Sequence, residues 1–114
     1  MNVLFLCTSN VNRSKTCEDY FRQVNPVHNY KSAGLSYKNC ERFNSTICTH
    51  ELLLWADIIF VFEKIHIDRI CEHHDDPDTF KKIVNLDIED IYQYMSEPLL
   101  LKLERNWMLK NKLL

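Results

Sequence analysis

The stretch that decides the fold reads Val3-Leu4-Phe5-Leu6-Cys7-Thr8-Ser9-Asn10-Val11-Asn12-Arg13-Ser14. Its apolar start, stopped at once by polar residues, predicts a short buried strand of a parallel sheet over residues 1–6. A helix is predicted from Ser14 to Val24, with Ser14 as its cap and Pro26 beyond its end. A strand, a polar turn and a helix in this order aim backbone N–H groups at an anion.

The residue types in this turn suit chemistry on a phosphate group. Cys7 stands where the positive end of the following helix favours the thiolate, which is the nucleophilic form of a cysteine. Arg13, six residues later, offers a planar fork that can bind two oxygens of the same anion. Ser14 can donate its hydroxyl to the sulfur. The plainer alternative is a core cysteine that ends a strand, followed by a solvated arginine at a helix start.

The pattern Cys-x5-Arg-Ser, with an asparagine three residues after the cysteine, resembles the phosphate loop of the low-molecular-weight protein tyrosine phosphatases. The resemblance implies that Cys7 is the nucleophile and that Asn10 and Ser14 support the loop. Ser9 stands where many relatives carry glycine, so a left-handed backbone at Ser9 would strain the loop. By the same resemblance, phosphate would be bound by the loop residues Thr8, Ser9, Asn10, Val11, Asn12, Arg13 and Ser14.

The remainder of the chain alternates strands with helices, without a repeat or linker that would indicate a second domain. Residues 35–44 are predicted to be irregular, Ser45 to cap a helix, and Trp107 to anchor the core. The pattern predicts one α/β domain over residues 1–114, a three-layer α/β/α arrangement with a four-stranded parallel sheet, similar to the low-molecular-weight phosphatases. Further strands are predicted over 30–33, 57–62 and 83–86, and helices over 46–55, 64–71 and 97–114.

Several polar residues follow predicted strands, and the carboxyl ends of parallel strands meet at one edge of a sheet. Ser32-Ala33-Gly34 resembles a tripeptide after the family's second strand, which implies that Ser32 supports the loop; an ordinary strand-end serine fits equally well. Glu63 either orients the loop or caps the next helix. The residues that follow predicted strands are Cys7, Ser32, Glu63 and Asp90.

The family places its general acid in an Asp-Pro-Tyr triplet just after the last strand. Asp90-Ile91-Tyr92 resembles this triplet, with isoleucine in place of proline. A shorter bacterial branch of predicted phosphatases is more similar still, because its Tyr-x-Tyr-Met run matches Tyr92 to Met95. The resemblance implies that Asp90 is the acid and Tyr92 a supporting aromatic. Asp87 is the rival acid, placed second because it lies nearer the strand end.

Composition narrows the partners of this 114-residue chain, which has a net charge of −2 and no basic stripe. Nucleic acid is therefore not an expected partner. No apolar run reaches the ~18 residues of a transmembrane helix, and the N-terminus lacks signal-peptide features, so we expect a cytoplasmic protein without a membrane partner.

Five irregularly spaced cysteines predict reduced thiols, with Cys17 in the core. Adjacent histidines point apart, so residues 71–76 are expected to form a loop rather than a metal site, and no cofactor is expected.

These observations predict a cysteine-dependent phosphomonoester hydrolase, by resemblance a protein tyrosine phosphatase that forms a phosphocysteine at Cys7. Asp90 would protonate the leaving oxygen and then activate water. The substrate would be a phosphorylated protein or a small phosphomonoester, and phosphate or vanadate would bind the site. The family's insert that carries an aromatic wall beside the active site is shorter here, so the wall is either missing or rebuilt from Tyr37 or Phe43. The alternatives are an arsenate reductase, which needs a relay of cysteines, and a catalytically weak phosphate-binding module.

Overall fold

The computed structural model describes residues 1–113. The predicted helix and domain both extend to Leu114, which lies outside the described residues. In chain order the elements are β1 (Asn2–Cys7), α1 (Arg13–Val24), β2 (Asn29–Gly34), α2 (Tyr37–Phe43), α3 (His50–Trp55), β3 (Ile58–Val61), α4 (Lys64–His73), α5 (Pro77–Phe80), β4 (Ile83–Asn85), α6 (Glu97–Arg105) and α7 (Trp107–Leu113).

The four strands form one parallel sheet in the order β2-β1-β3-β4. The central strands β1 and β3 are continuous apolar runs because both of their faces are covered. Leu6 pairs with Ala33 on one side and with Val61 on the other, so the strand ends lie in register. The predicted fold class is therefore confirmed, and Cys7 ends a central strand.

Helices cover both faces of the sheet, which gives the predicted three layers. Helices α1, α6 and α7 pack on the face that carries Phe5 and Phe60, whose rings stack with centroids 5.5 Å apart. Helices α3 and α4 pack on the other face, where Leu53 and Ile70 are fully buried. Cys17 lies in the first of these cores, as predicted.

The middle of the chain differs from its prediction. Residues 37–43, predicted to be irregular, form α2, which Ser36 caps by accepting from the Asn39 backbone N–H at 3.2 Å. The helix predicted over 46–55 begins only at His50, with Thr49 rather than Ser45 as its cap. The reason is a competing pairing: the Gly34 N–H donates to the Thr46 carbonyl at 2.7 Å, which holds residues 46–48 extended beside β2.

The single helix predicted at the C-terminal end is two helices. Asn106 separates them, because its side-chain oxygen accepts from the backbone N–H groups of Met108 and Leu109 and so caps α7. Trp107, predicted as a core anchor, is 67% exposed, since the second helix turns it outward. Leu103 and Leu109 fill the core in its place.

The segment considered for metal binding is not a continuous loop. Helix α4 extends to His73, and Asp76 then caps the short helix α5, which starts at Pro77. Within residues 1–113, no three side chains of the metal-ligating types converge. No helix in this part of the chain is long and apolar enough to cross a membrane.

A buried histidine joins the start of α4 to the end of β1. The His66 Nδ1 atom accepts from the backbone N–H groups of Phe62 and Glu63 at 3.2 Å each, so the proton resides on Nε2. Nε2 then donates to the Thr8 hydroxyl at 3.1 Å. Burial and, after it, the charge of Arg13 lower the pKa of His66 to about 4. Both nitrogens are therefore used in the neutral form.

Core packing by α6 can be tested with two leucines of one helix. Leu103 is 1% exposed and Leu101 is 40% exposed. Leu103→Ala should lower the free energy of unfolding by about 2–5 kcal/mol, because it leaves a cavity, whereas Leu101→Ala should cost under ~1 kcal/mol. Urea denaturation of both variants measures the difference. Equal losses would contradict the assigned helix face.

The buried histidine predicts a pH dependence of stability. In the unfolded chain His66 takes up a proton near its ordinary pKa, whereas the folded protein resists this until about pH 4. The stability that it contributes is complete above the unfolded pKa and declines as the pH falls, by about 3 kcal/mol over the whole interval. Urea denaturation at several pH values, with His66→Gln as the matched variant, should show a shallower dependence in the variant; parallel curves would refute this origin.

Candidate active site

The side chains of Cys7 and Ser14 meet across the turn between β1 and α1. The Cys7 Sγ lies 3.0 Å from the Ser14 hydroxyl, and both side chains are buried. The prediction that Ser14 caps α1 is wrong, because α1 already begins at Arg13 and the Ser14 hydroxyl contacts Cys7 and Asn10 instead. A serine hydroxyl at this distance can stabilise a thiolate by donating a hydrogen bond to it.

Asn10 is the centre of a buried hydrogen-bond network that shapes the turn. Its side-chain amide donates to Ser14 at 2.8 Å and to Ser32 at 2.9 Å, and its oxygen accepts from the Thr46 backbone N–H at 3.4 Å. The Ser32 hydroxyl in turn donates to Glu18 at 2.5 Å. The structure thus brings Asn10, Ser14 and Ser32 together behind the loop, in the arrangement expected of supporting residues.

The loop reaches its shape without a glycine inside it. Asn10, not Ser9, has the left-handed backbone, with φ of 54°, and asparagine tolerates this region better than most residues. The Ser9 carbonyl accepts from the Ser45 hydroxyl at 2.5 Å. Gly34, the one glycine, has no positive φ; a Cβ there would lie 2.9 Å from the Thr8 carbonyl oxygen, so glycine is needed for close approach to the loop.

The Arg13 side chain is only 2% exposed, and hydrogen bonds hold it in place. Its Nη1 donates to the Glu63 carboxylate and to the Ile88 carbonyl, both at 2.8 Å, and its guanidinium lies over the Phe62 ring. Glu63 therefore orients Arg13, and it is also the N-cap residue of α4, so both roles considered for it are present. Nε and Nη2 remain for an anion, and Nε lies 3.7 Å from the Asp90 carboxylate.

A cavity of about 300 Å³ opens above the Cys7 sulfur. Loop residues form its floor, and Asp90, whose side chain is 63% exposed, stands at its wall. A thiol, a guanidinium and a carboxylate thus share one cavity. The residues that line it are Cys7, Thr8, Ser9, Val11, Asn12, Arg13, Phe43 and Asp90.

The other acid and aromatic residues considered for the site lie elsewhere. Asp87 and Tyr92 line a separate cavity of about 520 Å³ against α6, so Tyr92 does not flank Cys7. Tyr37 is 71% exposed and away from this cavity, whereas Phe43, at the end of α2, forms its aromatic wall. Tyr94 fastens the segment after Asp90, because its backbone N–H donates to the Asn12 side chain at 3.0 Å.

Sequence reasoning missed Glu18, Ser45 and His66 as supports of the loop. Glu18 ends the Asn10 network, and its place four residues after Ser14 puts both on one face of α1, which was a usable indication. His66 lies on the first turn of α4, three residues after Glu63. Ser45 offered no indication, because its contact depends on how the chain folds back after α2.

The other thiols near the loop are buried. Burial and, second, the neighbouring Cys7 raise the pKa of Cys17, so Cys17 stays a thiol. The Cys40 thiol points at the Ser9 carbonyl oxygen at 3.8 Å. Within residues 1–113 no cysteine is paired in a disulfide.

Comparisons with known proteins identify the fold. No family model matches the sequence, and no curated protein matches it. The solved structures that are similar over much of the chain include the following three phosphatases. The tyrosine phosphatase Wzb from Escherichia coli K30, in complex with phosphate, is 22% identical, with a TM-score of 0.73 and coverage of 98% of this chain and 97% of its own.

The other two structures are a phosphatase of different specificity and a small tyrosine phosphatase. The YwlE arginine phosphatase from Geobacillus stearothermophilus is 21% identical, with a TM-score of 0.62 and coverage of 96% and 86%. The low-molecular-weight protein tyrosine phosphatase SP-PTP from Streptococcus pyogenes is 16% identical, with a TM-score of 0.60 and coverage of 72% and 69%. The chain therefore has the fold of the low-molecular-weight phosphatases.

Proposed function

We propose that this chain is a cysteine-dependent phosphomonoester hydrolase, and specifically a cytoplasmic protein tyrosine phosphatase. The observation that carries the proposal is one cavity shared by the Cys7 sulfur, the Arg13 guanidinium and the Asp90 carboxylate. The buried loop network supports it, because a preorganised anion site needs fixed donors. The neighbours' fold and their phosphatase activities agree with it.

The first step transfers the phosphoryl group to sulfur. The Cys7 thiolate attacks phosphorus, a P–S bond forms, and the bond from phosphorus to the leaving oxygen breaks. Protonated Asp90 gives its proton to that oxygen. The loop N–H groups and the free Nε and Nη2 of Arg13 bind the equatorial oxygens, where negative charge accumulates.

The second step releases phosphate. Asp90, now ionised, takes a proton from water, whose oxygen attacks phosphorus. The P–S bond breaks, and its electron pair returns to Cys7 as the thiolate, which Ser14 stabilises at 3.0 Å. Arg13 and the loop supply the positive charge that both steps need, so the chain's own residues account for the reaction.

The walls of the cavity favour an aromatic leaving group. Val11 and Phe43 present apolar surface to the space above Cys7, which suits the ring of phosphotyrosine better than a charged phosphoguanidinium group. The substrate that we propose is therefore a tyrosine-phosphorylated protein, with phosphate or vanadate as ligands of the same loop.

The two alternatives are less well supported. An arsenate reductase has to pass a disulfide to an outside reductant, and Cys17, whose thiol is fully buried, is poorly suited to that exchange. A binding module would need the loop but not the acid, whereas Asp90 lines the same cavity as Cys7.

Hydrolysis of p-nitrophenyl phosphate without added metal tests the chemistry. Wild type should be active and blocked by vanadate, and Cys7→Ser should lose at least ~10³-fold in kcat/KM because the nucleophile is lost. Cys17→Ser is the matched control and should retain activity. Acid-quenched enzyme should carry phosphate on Cys7 as a thiophosphate ester. A folded but inactive wild type would favour the binding module.

Activity measurements on other substrates assign the substrate class and distinguish the alternative functions. A phosphotyrosine peptide should be hydrolysed faster than a phosphoarginine peptide of the same sequence. The reverse order would overturn the tyrosine assignment while leaving the cysteine chemistry intact. Arsenate reduction that requires a second cysteine would instead support the reductase.

Replacing the two candidate acids distinguishes Asp90 from Asp87. Asp90→Asn should lower kcat by ~10²-fold or more on phenyl phosphate, whose leaving group needs a proton, and much less on p-nitrophenyl phosphate. Asp87→Asn, a matched loss of charge outside the cavity, should change neither rate. Asp90 would be excluded as the acid by equal losses on both substrates.

A further inference from the structure

Two smaller cavities lie on the other side of Thr8 from the catalytic cavity. The first, of about 50 Å³, is lined by Thr8 itself together with Leu35, Ser36 and Arg69. The second, of about 170 Å³, shares Leu35 and Arg69 with the first. Thr8 also lines the cavity above Cys7. The three cavities therefore follow one another across the surface, joined by shared residues.

The far end of this series carries the guanidinium of Arg69. Arg69, His73 and His74 line the second cavity, and none of its lining residues is acidic. Arg69 is half-buried, yet it forms no ion pair and no side-chain hydrogen bond with any residue from 1 to 113. An arginine in this state retains its donors for an external group, whereas Arg13 and Arg22 are both paired with carboxylates.

The acidic residues near Arg69 in the sequence of α4 and before it do not pair with its guanidinium in residues 1–113. Asp68 and Glu72 lie on the same helix but do not line either cavity, and Glu63 is committed to Arg13 at 2.8 Å. Tyr37, which is 71% exposed, forms an outer wall that an extended peptide could cross. The site thus combines a guanidinium left unpaired by the described residues, two imidazoles and an open side.

We propose that the cavity lined by Arg69, His73 and His74 binds an acidic side chain of the phosphoprotein substrate. The carboxylate would accept from the Arg69 guanidinium while the phosphorylated residue occupies the loop above Cys7. The chain between the two residues would cross Thr8 and Leu35. This inference rests on the proposed function, and it defines the substrate class further as phosphotyrosine with a nearby glutamate or aspartate.

Kinetics on paired peptides tests the inference. A series of phosphotyrosine peptides, each with one glutamate moved along either side of an otherwise neutral sequence, is compared with the all-neutral peptide in the wild type at pH 7.5. One register should have a kcat/KM about ten-fold above that of the neutral peptide, since a charge pair of this kind is worth on the order of 1.4 kcal/mol. Arg69→Gln should abolish that preference.

The control lies on the same helix. Lys64→Gln removes an equal charge from an exposed position that lines none of these cavities, so it should keep the full preference for glutamate. A peptide with lysine in the favoured register should be disfavoured by the wild type and rescued in part by Arg69→Glu. Loss of the preference in both Lys64→Gln and Arg69→Gln would mean a general field effect and would overturn the proposal, as would an absence of any favoured register.

Failure of this inference can be told from failure of the proposed function. If the wild type hydrolyses p-nitrophenyl phosphate but shows no glutamate preference among the peptides, the subsite is refuted and the proposed function is not. If hydrolysis is absent, the affinity of the Cys7→Ser protein for the same peptides gives the answer. A preference of its phosphotyrosine binding for the glutamate register, abolished by Arg69→Gln, would support the subsite, and equal affinities would refute it.

Discussion

A buried guanidinium is the interaction on which the site depends. Removing the charge of Arg13 from water costs several kcal/mol unless it is paired, and here Nη1 bonds both the Glu63 carboxylate and the Ile88 carbonyl. These partners come from the start of α4 and from the segment after β4. One side chain therefore ties together the carboxyl ends of β1, β3 and β4, and any change in the spacing of these strands would leave a buried charge without its partners.

The loop itself is held by polar groups rather than by apolar packing. Asn10 is forced into a left-handed backbone, which costs free energy, and its side chain offsets this by bonding three elements at once. Its partner Ser32 passes the network to Glu18, whose own burial is offset by contacts with Lys15 and Arg22. A fully satisfied network of this kind fixes one loop conformation, which is what an anion site requires.

Local patterns predicted what local forces decide. The strand and helix patterns predicted four parallel strands close to their observed positions, and the spacing between Cys7 and Arg13 located the turn. Errors arose where distant groups compete. Ser14 is of a residue type that often caps helices, but its hydroxyl forms hydrogen bonds with Cys7 and Asn10 instead. Residues 46–48 resemble a helix, but their pairing with Gly34 keeps them extended. Trp107 begins a new helix after the break at Asn106, and the spacing of apolar residues along the sequence does not indicate that break.

The contrast between features set by local sequence and features set by distant contacts also separates the groups proposed for the chemistry from the walls proposed to select the substrate. The groups proposed to react lie on a short turn and after strand ends, so their positions follow from the parallel sheet and could be predicted from the sequence. The walls come from the middle of the chain, where α2 places Phe43 over the cavity and α4 places Arg69 beyond Thr8. The position of Phe43 depends on how the chain around α2 packs against the loop through Gly34, Cys40 and Ser45. Under the proposed function, substitutions in the middle would alter which phosphorylated group fits without disturbing the bond between Arg13 and Glu63 that holds the proposed phosphate site together.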